Sequence, residues 1–257
     1  SAWIKPSQFS SGDHPKILQR SEGTGGGVDR WIFNWSPNSD SYTVQFGVFS
    51  SSTSQEVKGV TSIPLNVWTH VAATFNSGQG VIYVNGVADK SSSISFTNLN
   101  HVQGVDIKIG SSTNNSFFPG GMDDVAIWNE ALTANEIAAL YNSGIPLSAN
   151  SNSGDYSSSS NLAGYWRHNE NSGSITYDLS GNGNHGTING ATSSTPGASN
   201  IPVLSVTSSS NNATYKIGDV LPVNVTFGAA VTVSGTPQLT LETGSSDAVV
   251  NYTSGSG

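Results

Sequence analysis

Through much of its first half the chain places an apolar residue at every second position. RWIFNW (30–35) puts Trp31, Phe33 and Trp35 on one face, and SYTVQFGVF (41–49) does the same with Tyr42, Val44, Phe46 and Val48. A period of two marks a strand buried on one side, so both predict neighbouring strands of an antiparallel sheet. VWTHVAATF (67–75) and GVIYVNGV (80–87) continue the series, and Asn85-Gly86 tolerates the positive φ angles of a tight hairpin. VDIKIGSS and GGMDDVAIW predict two more strands. The period lengthens to that of a helix in LTANEIAALYNSG. There Thr133 and Glu136 have capping-box spacing, Ile137, Leu140 and Tyr141 form an apolar stripe, and Gly144 stands past the end.

After this helix the pattern lapses. Residues 145–161 are rich in Ser, Asn and Gly without periodicity, which predicts an exposed linker or long loop. Alternation returns beyond Pro202 in PVLSVTS, YKIGDVLPVNVTF, AVTVSGTPQLTLET and DAVVNYTSGSG, with turns about every ten residues, as in a β-sandwich.

Composition then removes whole classes of function. Only 10% of the 257 residues are charged, and 17 acids against 9 bases give a net charge of −8, so nothing is built to neutralise phosphates and nucleic acid is not an expected partner. No apolar run approaches a membrane span, so membrane insertion is not expected either. Cysteine is absent, which excludes disulfides, thiol catalysis and cysteine-bound zinc. Surplus acid without cysteine suits a secreted bacterial protein stiffened by calcium. The opening SAWIKPSQF begins as if in mid-strand, which reads as a piece of a longer protein.

The ordered series AWIKP, WTHVAATF, YVNG, IGSS and GGMDDVAIWNEALTANEIAALY resembles the laminin-G-like, concanavalin A-like jelly roll of large bacterial surface proteins. The resemblance spans residues 1–144 and implies a sandwich of two antiparallel sheets lacking its opening strands. LAGYWRHNENSGSITYDLSGNGNHGTINGA, within 162–198, resembles that family's opening segment, yet it stands behind the domain. Two arrangements follow. Residues 162–168 fold back beside 123–129 and close the sandwich, or they start a second domain. Pairing a bare strand edge favours the first. Residues 199–257 resemble the front part of a cadherin-like or immunoglobulin-like adhesin repeat. The expected fold is therefore all-β: an antiparallel jelly roll with one short helix, then a partial immunoglobulin-like sandwich.

The loop DLSGNGNHGTINGA (178–191) is not a phosphate cradle, because strand-like residues follow it where a helix N-terminus is needed. Two readings remain for it. In one, Asp178, Asn182 and Asn184 offer oxygens to calcium; in the other, glycines with positive φ and asparagine side chains make a turn. Asp123 and Asp124 are the other acidic candidates. On a strand their side chains point to opposite faces, so only one of them can turn inward. The family resemblance implies a calcium site shared between this pair and the Asp178 loop; the alternative is that the carboxylates cap backbone donors.

No catalytic set assembles. The E-x-D-x-x-E carboxylates of related glycosidases are missing among Glu22, Glu56, Glu130, Glu136, Glu170 and Glu242. His70 lies in a strand, and His14, His101, His168 and His185 lack zinc spacing. Tryptophans in strands are expected in the core. Trp35 and Tyr42, flanking SPNSDS, and Phe117 and Phe118, in NNSFFPG, are the candidates for ligand contact. The expected function is a noncatalytic extracellular module that binds a glycan or a cell-surface protein. Two alternatives stand: a spacer or filament unit completed by neighbouring copies, and an accessory module of a polysaccharide-degrading enzyme.

Overall fold

The computed structural model describes residues 1–8, 14–20, 30–38, 41–49, 53–96, 105–111, 117–170, 172–193, 197–198, 203–211, 213–216, 219–227, 236–241 and 248–255. Glu22, His101, Glu242, the tip of SPNSDS at 39–40 and residues 114–116 of NNSFFPG lie outside these residues. Two compact units are present, Ser1–Asn200 and Ile201–Gly257.

The strands of the first unit are β1 (Ala2–Pro6), β2 (Lys16–Arg20), β3 (Arg30–Asn38), β4 (Ser41–Phe49), β5 (Ser54–Lys58), β6 (Thr69–Asn76), β7 (Gln79–Val84), β8 (Val87–Ser93), β9 (Ile107–Ile109), β10 (Gly120–Asp123) and β11 (Val125–Trp128). Helix α1 (Ala134–Tyr141) follows, then β12 (Leu162–Trp166), β13 (Ile175–Thr176) and β14 (Gly186–Thr187). One antiparallel sheet has the order β10-β1-β6-β7-β8 and the other β5-β4-β3-β2-β9. Their facing side chains, among them Ile4, Val71 and Ile82 against Phe33, Trp35, Val44 and Phe46, merge into one core. This is the all-β jelly-roll sandwich that the alternating positions dictate.

The first sheet is covered on both faces, which explains why β6 is buried from Thr69 through Ala72 rather than alternately. Its outer face packs Ala72 and Tyr83 against Ile137 and Leu140 of α1. His70 sits fully enclosed beside Trp3 and Tyr141, its ring centre 5.5 Å and 6.2 Å from theirs. Burial, then the charge of the chain's amino terminus, lowers its pKa to about 3, so it is a neutral packing residue. The capping box at α1 forms as its spacing predicts.

The segment 145–161 departs from the expected linker: Tyr156 is entirely buried, and its hydroxyl donates to the Ala149 carbonyl while accepting from the Trp128 indole. The Glu136 carboxylate holds this segment, accepting from the Ser158 hydroxyl at 2.6 Å and the Ser157 hydroxyl at 3.2 Å as well as from Thr133. A Ser-rich composition hid this, because the hydroxyls are bonded to a carboxylate rather than to water.

β12 pairs antiparallel with β11, Val125 opposite Trp166 and Ala126 opposite Tyr165. Trp166 joins the core between the sheets, and Leu162 and Tyr165 join the cluster beneath α1.

In the second unit β15 (Val203–Ser208) pairs with β16 (Val223–Phe227), and β17 (Gln238–Leu241) with β18 (Ala248–Asn251). From Ser205 onward no described side chain of this unit is buried, and Val206, Val220 and Val249 are 51%, 88% and 56% exposed.

Candidate functional site

The acidic candidates meet where β10 gives way to β11. Asp124 has φ +45°, a left-handed conformation that interrupts the strand and turns both Asp123 and Asp124 inward. The expected alternation of the two side chains is therefore wrong, because the backbone is not a strand at that residue. Asp123 accepts from the backbone N–H of Asp124 at 2.9 Å and of Ala198 at 2.7 Å. Asp124 Oδ1 accepts from the Tyr165 hydroxyl and lies 3.3 Å from Arg167 Nε, an ion pair without hydrogen-bond geometry. Its Oδ2 is buried and has no partner. Burial, then the neighbouring Asp123 charge, pushes Asp124 up to about 6 against the opposing pull of Tyr165 and Arg167.

Asp178 is built differently. Its Oδ1 accepts from Tyr165 N and Ser180 N, both at 2.9 Å, and its Oδ2 from Ser180 Oγ at 2.8 Å and Asn184 N at 2.9 Å. Burial works to raise its pKa, but these donors together outweigh it and hold the carboxyl below the ordinary range. Asn182 and Asn184 use their amide N–H groups on the carbonyls of Leu162 and Ala163, at 2.7 Å and 2.8 Å. The Trp166 indole N–H donates to the Asn184 carbonyl at 2.9 Å. The glycine-rich loop thus binds the returning strand edge to edge. Gly164 completes the lock: a Cβ there would run into the Trp166 ring, which lies across it.

Three of the four aromatic candidates for ligand contact are interior. Trp35 is fully buried, Tyr42 is 8% exposed with its ring 4.2 Å from Trp35, and Phe118 is 8% exposed and packs on Trp35 at 6.0 Å. Trp35 and Tyr42 belong to the inward-facing set of the alternating strands β3 and β4, and Phe118 packs onto Trp35 from its loop, so a place beside a loop did not make them a surface. Phe117 is 61% exposed.

Residues not singled out from the sequence stand on the outer side of the loop. Ile175, Tyr177 and Leu179 are 44%, 52% and 41% exposed, while Thr176 and Asp178 between them are buried. The His185 ring stands nearly perpendicular to Tyr177, 5.4 Å between centres. Alternation was visible in ITYDL, but it does not say which set faces out. A second polar set lies on β2, β3 and β4, where Gln19, Asn34 and Gln45 are buried and Gln19 Nε2 and Gln45 Oε1 have no hydrogen-bond partner.

The family model of the concanavalin A-like lectin/glucanases superfamily, in its Laminin_G_3 form, matches residues 1–138. The chain belongs to this family. No curated protein matches it. Among solved structures, a candidate carbohydrate binding protein from Bacteroides ovatus superposes with a TM-score of 0.51 at 20% identity, covering 75% of this chain and 54% of that one. The chain thus spans about half the length of that structure. Domain 4 of a GH43 extracellular arabinanase from Geobacillus stearothermophilus, solved with arabinotriose, reaches 0.43 at 21% identity over 55% of this chain and 64% of that one. An S-layer domain-containing protein from Clostridium thermocellum reaches 0.29 at 22% identity over 52% and 65%. The first supports the laminin-G-like fold; the other two superpose too loosely to bear on it.

The laminin-G-like resemblance implies calcium, and of the oxygens nominated for it those of Asp178 and Asp123 do not fit. Asp178 faces four N–H and O–H donors whose positive ends compete with a cation, and Asp123 faces two more. Among the described residues no three His, Cys, Asp or Glu side chains converge to hold a metal ion. No helix among the described residues is long and apolar enough to cross a membrane.

Proposed function

We propose that this chain is a noncatalytic glycan-binding module of an extracellular bacterial protein. Its superfamily contains both lectins and glucanases, and the described glutamates favour the lectin side. Hydrolysis needs two carboxyl groups facing one open cleft, roughly 5–9.5 Å apart. Each described glutamate is engaged elsewhere: Glu56 with Lys58, Glu130 with Asn161, Glu136 with the capping box and Ser158, Glu170 with Tyr177. That engagement carries the reading. The carbohydrate-binding description of the Bacteroides ovatus protein agrees with it. The residues beyond 200 are read as the front part of an immunoglobulin-like adhesin repeat.

A glycan array followed by calorimetry on the hits tests the proposal, with reducing-sugar release measured on the same polymers. Binding without release is expected; release of reducing ends by the purified chain would defeat it.

A second reading, a spacer or filament unit, is favoured by the exposed Val206, Val220 and Val249 of the second unit. Its signature is concentration-dependent assembly in sedimentation velocity.

A further inference from the structure

We propose that the outward face of residues 175–179, centred on Tyr177, is the surface on which this module holds a neutral polysaccharide chain. The inference rests on the glycan-binding reading and gives it a location.

The observation behind it is an inverted strand. In an ordinary surface ribbon the apolar side chains turn inward; here Thr176 and Asp178 are 5% and 6% exposed, while Ile175, Tyr177 and Leu179 stand outside. The inversion is not a slipped register, because the inward polar groups are all satisfied. Thr176 Oγ1 lies 3.1 Å from His168 Nδ1, and Asp178 carries its four hydrogen bonds. Sliding the ribbon by one residue would break every one of them. The apolar stripe is therefore held outward by the interior.

It is also held rigidly. The Tyr177 N–H donates to Glu170 Oε1 at 2.8 Å, and the Leu179 N–H to the Tyr165 carbonyl at 2.8 Å. A backbone fixed beneath the aromatic side chain lowers the ordering cost of binding.

Of the polar groups near the stripe, the Glu170 carboxylate is taken up by the Tyr177 N–H and the Thr176 hydroxyl, while His185 and Asn184 have a hydrogen-bonding sense set by their partners. His185 Nδ1 accepts the Asp178 N–H at 3.1 Å, so the ring carries its proton on Nε2 and offers a donor next to the Tyr177 ring. Asn184 donates an amide N–H to the Ala163 carbonyl, which leaves its Oδ1 as an acceptor. An aromatic face with an imidazole N–H beside it and an amide oxygen on the same loop matches a sugar ring, with its apolar C–H face and hydroxyl rim. The three side chains present far less than the roughly 800 Å² per partner of a stable protein interface, so the occupant is narrow.

The test compares the wild type with Tyr177→Ala, Tyr177→Phe and Phe117→Ala on a glycan array and in affinity gels cast with arabinan, xylan, mixed-linkage β-glucan or galactomannan. Melting curves confirm that each variant is folded. The expected result is binding by the wild type, a loss of about tenfold or more in Tyr177→Ala, and near-wild-type affinity in Tyr177→Phe and Phe117→Ala. Wild-type affinity in Tyr177→Ala overturns the site but leaves the glycan reading standing. No binding by the wild type to any array glycan or polymer overturns both. A wild-type dimer that Tyr177→Ala dissolves also overturns the site, because the stripe then serves a second copy.

Discussion

The Tyr165 hydroxyl donates to the carboxylate of Asp124, 41 residues earlier in the chain. The contact ties β12 to the kink that separates β10 from β11, and it closes around a carboxylate whose second oxygen has no partner. Asp124 has a folded pKa of about 6 against an ordinary 3.8. As pH rises, the unfolded chain therefore loses this proton first. Stability falls between those two values, and the cost of the buried charge is fully present above about 6. Asp124→Asn keeps an oxygen for Tyr165 and removes the charge. We expect it to be more stable than the wild type at pH 7.5 by about 1–3 kcal/mol, with the gap shrinking toward pH 4. Urea unfolding at both pH values measures it; a pH-independent gap would mean that Asp124 does not titrate in this window.

Gly164→Ala should unseat Trp166, because the added methyl group meets the indole, which is 6% exposed and bonded to the Asn184 carbonyl. The expected cost is about 2–4 kcal/mol, with a red shift of the tryptophan emission as the ring enters water. An unshifted spectrum and unchanged stability would show that the strand tolerates a side chain there.

Asp178→Ala strips the acceptors from Tyr165 N, Ser180 N and Asn184 N, and should cost about 2–4 kcal/mol. Since these donors occupy the oxygens, exchanging chelator for millimolar calcium should move the wild-type melting temperature by no more than about 1 °C. A rise of several degrees that vanishes in Asp178→Ala would restore the calcium reading.

Glu136 receives hydrogen bonds from Thr133, Ser157 and Ser158. Burial alone would raise its pKa, yet these donors lower it to about 2, so its contribution to stability is complete above about 4.5 and is lost as pH falls through 2. Glu136→Ala should destabilise the fold by about 2–4 kcal/mol and open residues 150–160 to limited proteolysis at neutral pH. If the segment stays resistant in this variant, Tyr156 packing alone holds it.

How much of this was legible beforehand differs residue by residue. Strands β3, β4, β6 and β7 and α1 with its Thr133–Glu136 box could be read directly, because each depends on spacing within one short segment, whereas β2 and β5 carry too little alternation to stand out. The docked 145–161 segment could not: its serines and asparagines look the same whether they face water or Glu136. Trp35 and Tyr42 were placed correctly on one face, but which face is inside depends on the opposing sheet.

By itself, then, the sequence determined local periodicity, the hairpin and cap signals, the lack of cysteine and the kinship with laminin-G-like domains. Only the tertiary structure decided that Asp123 and Asp124 both turn inward, that Asp178 is enclosed by donors, and that Ile175, Tyr177 and Leu179 face solvent. The physical reason is that a side chain's direction follows from its own backbone. Whether that direction is buried depends on groups distant in the chain, such as Tyr165 for Asp124.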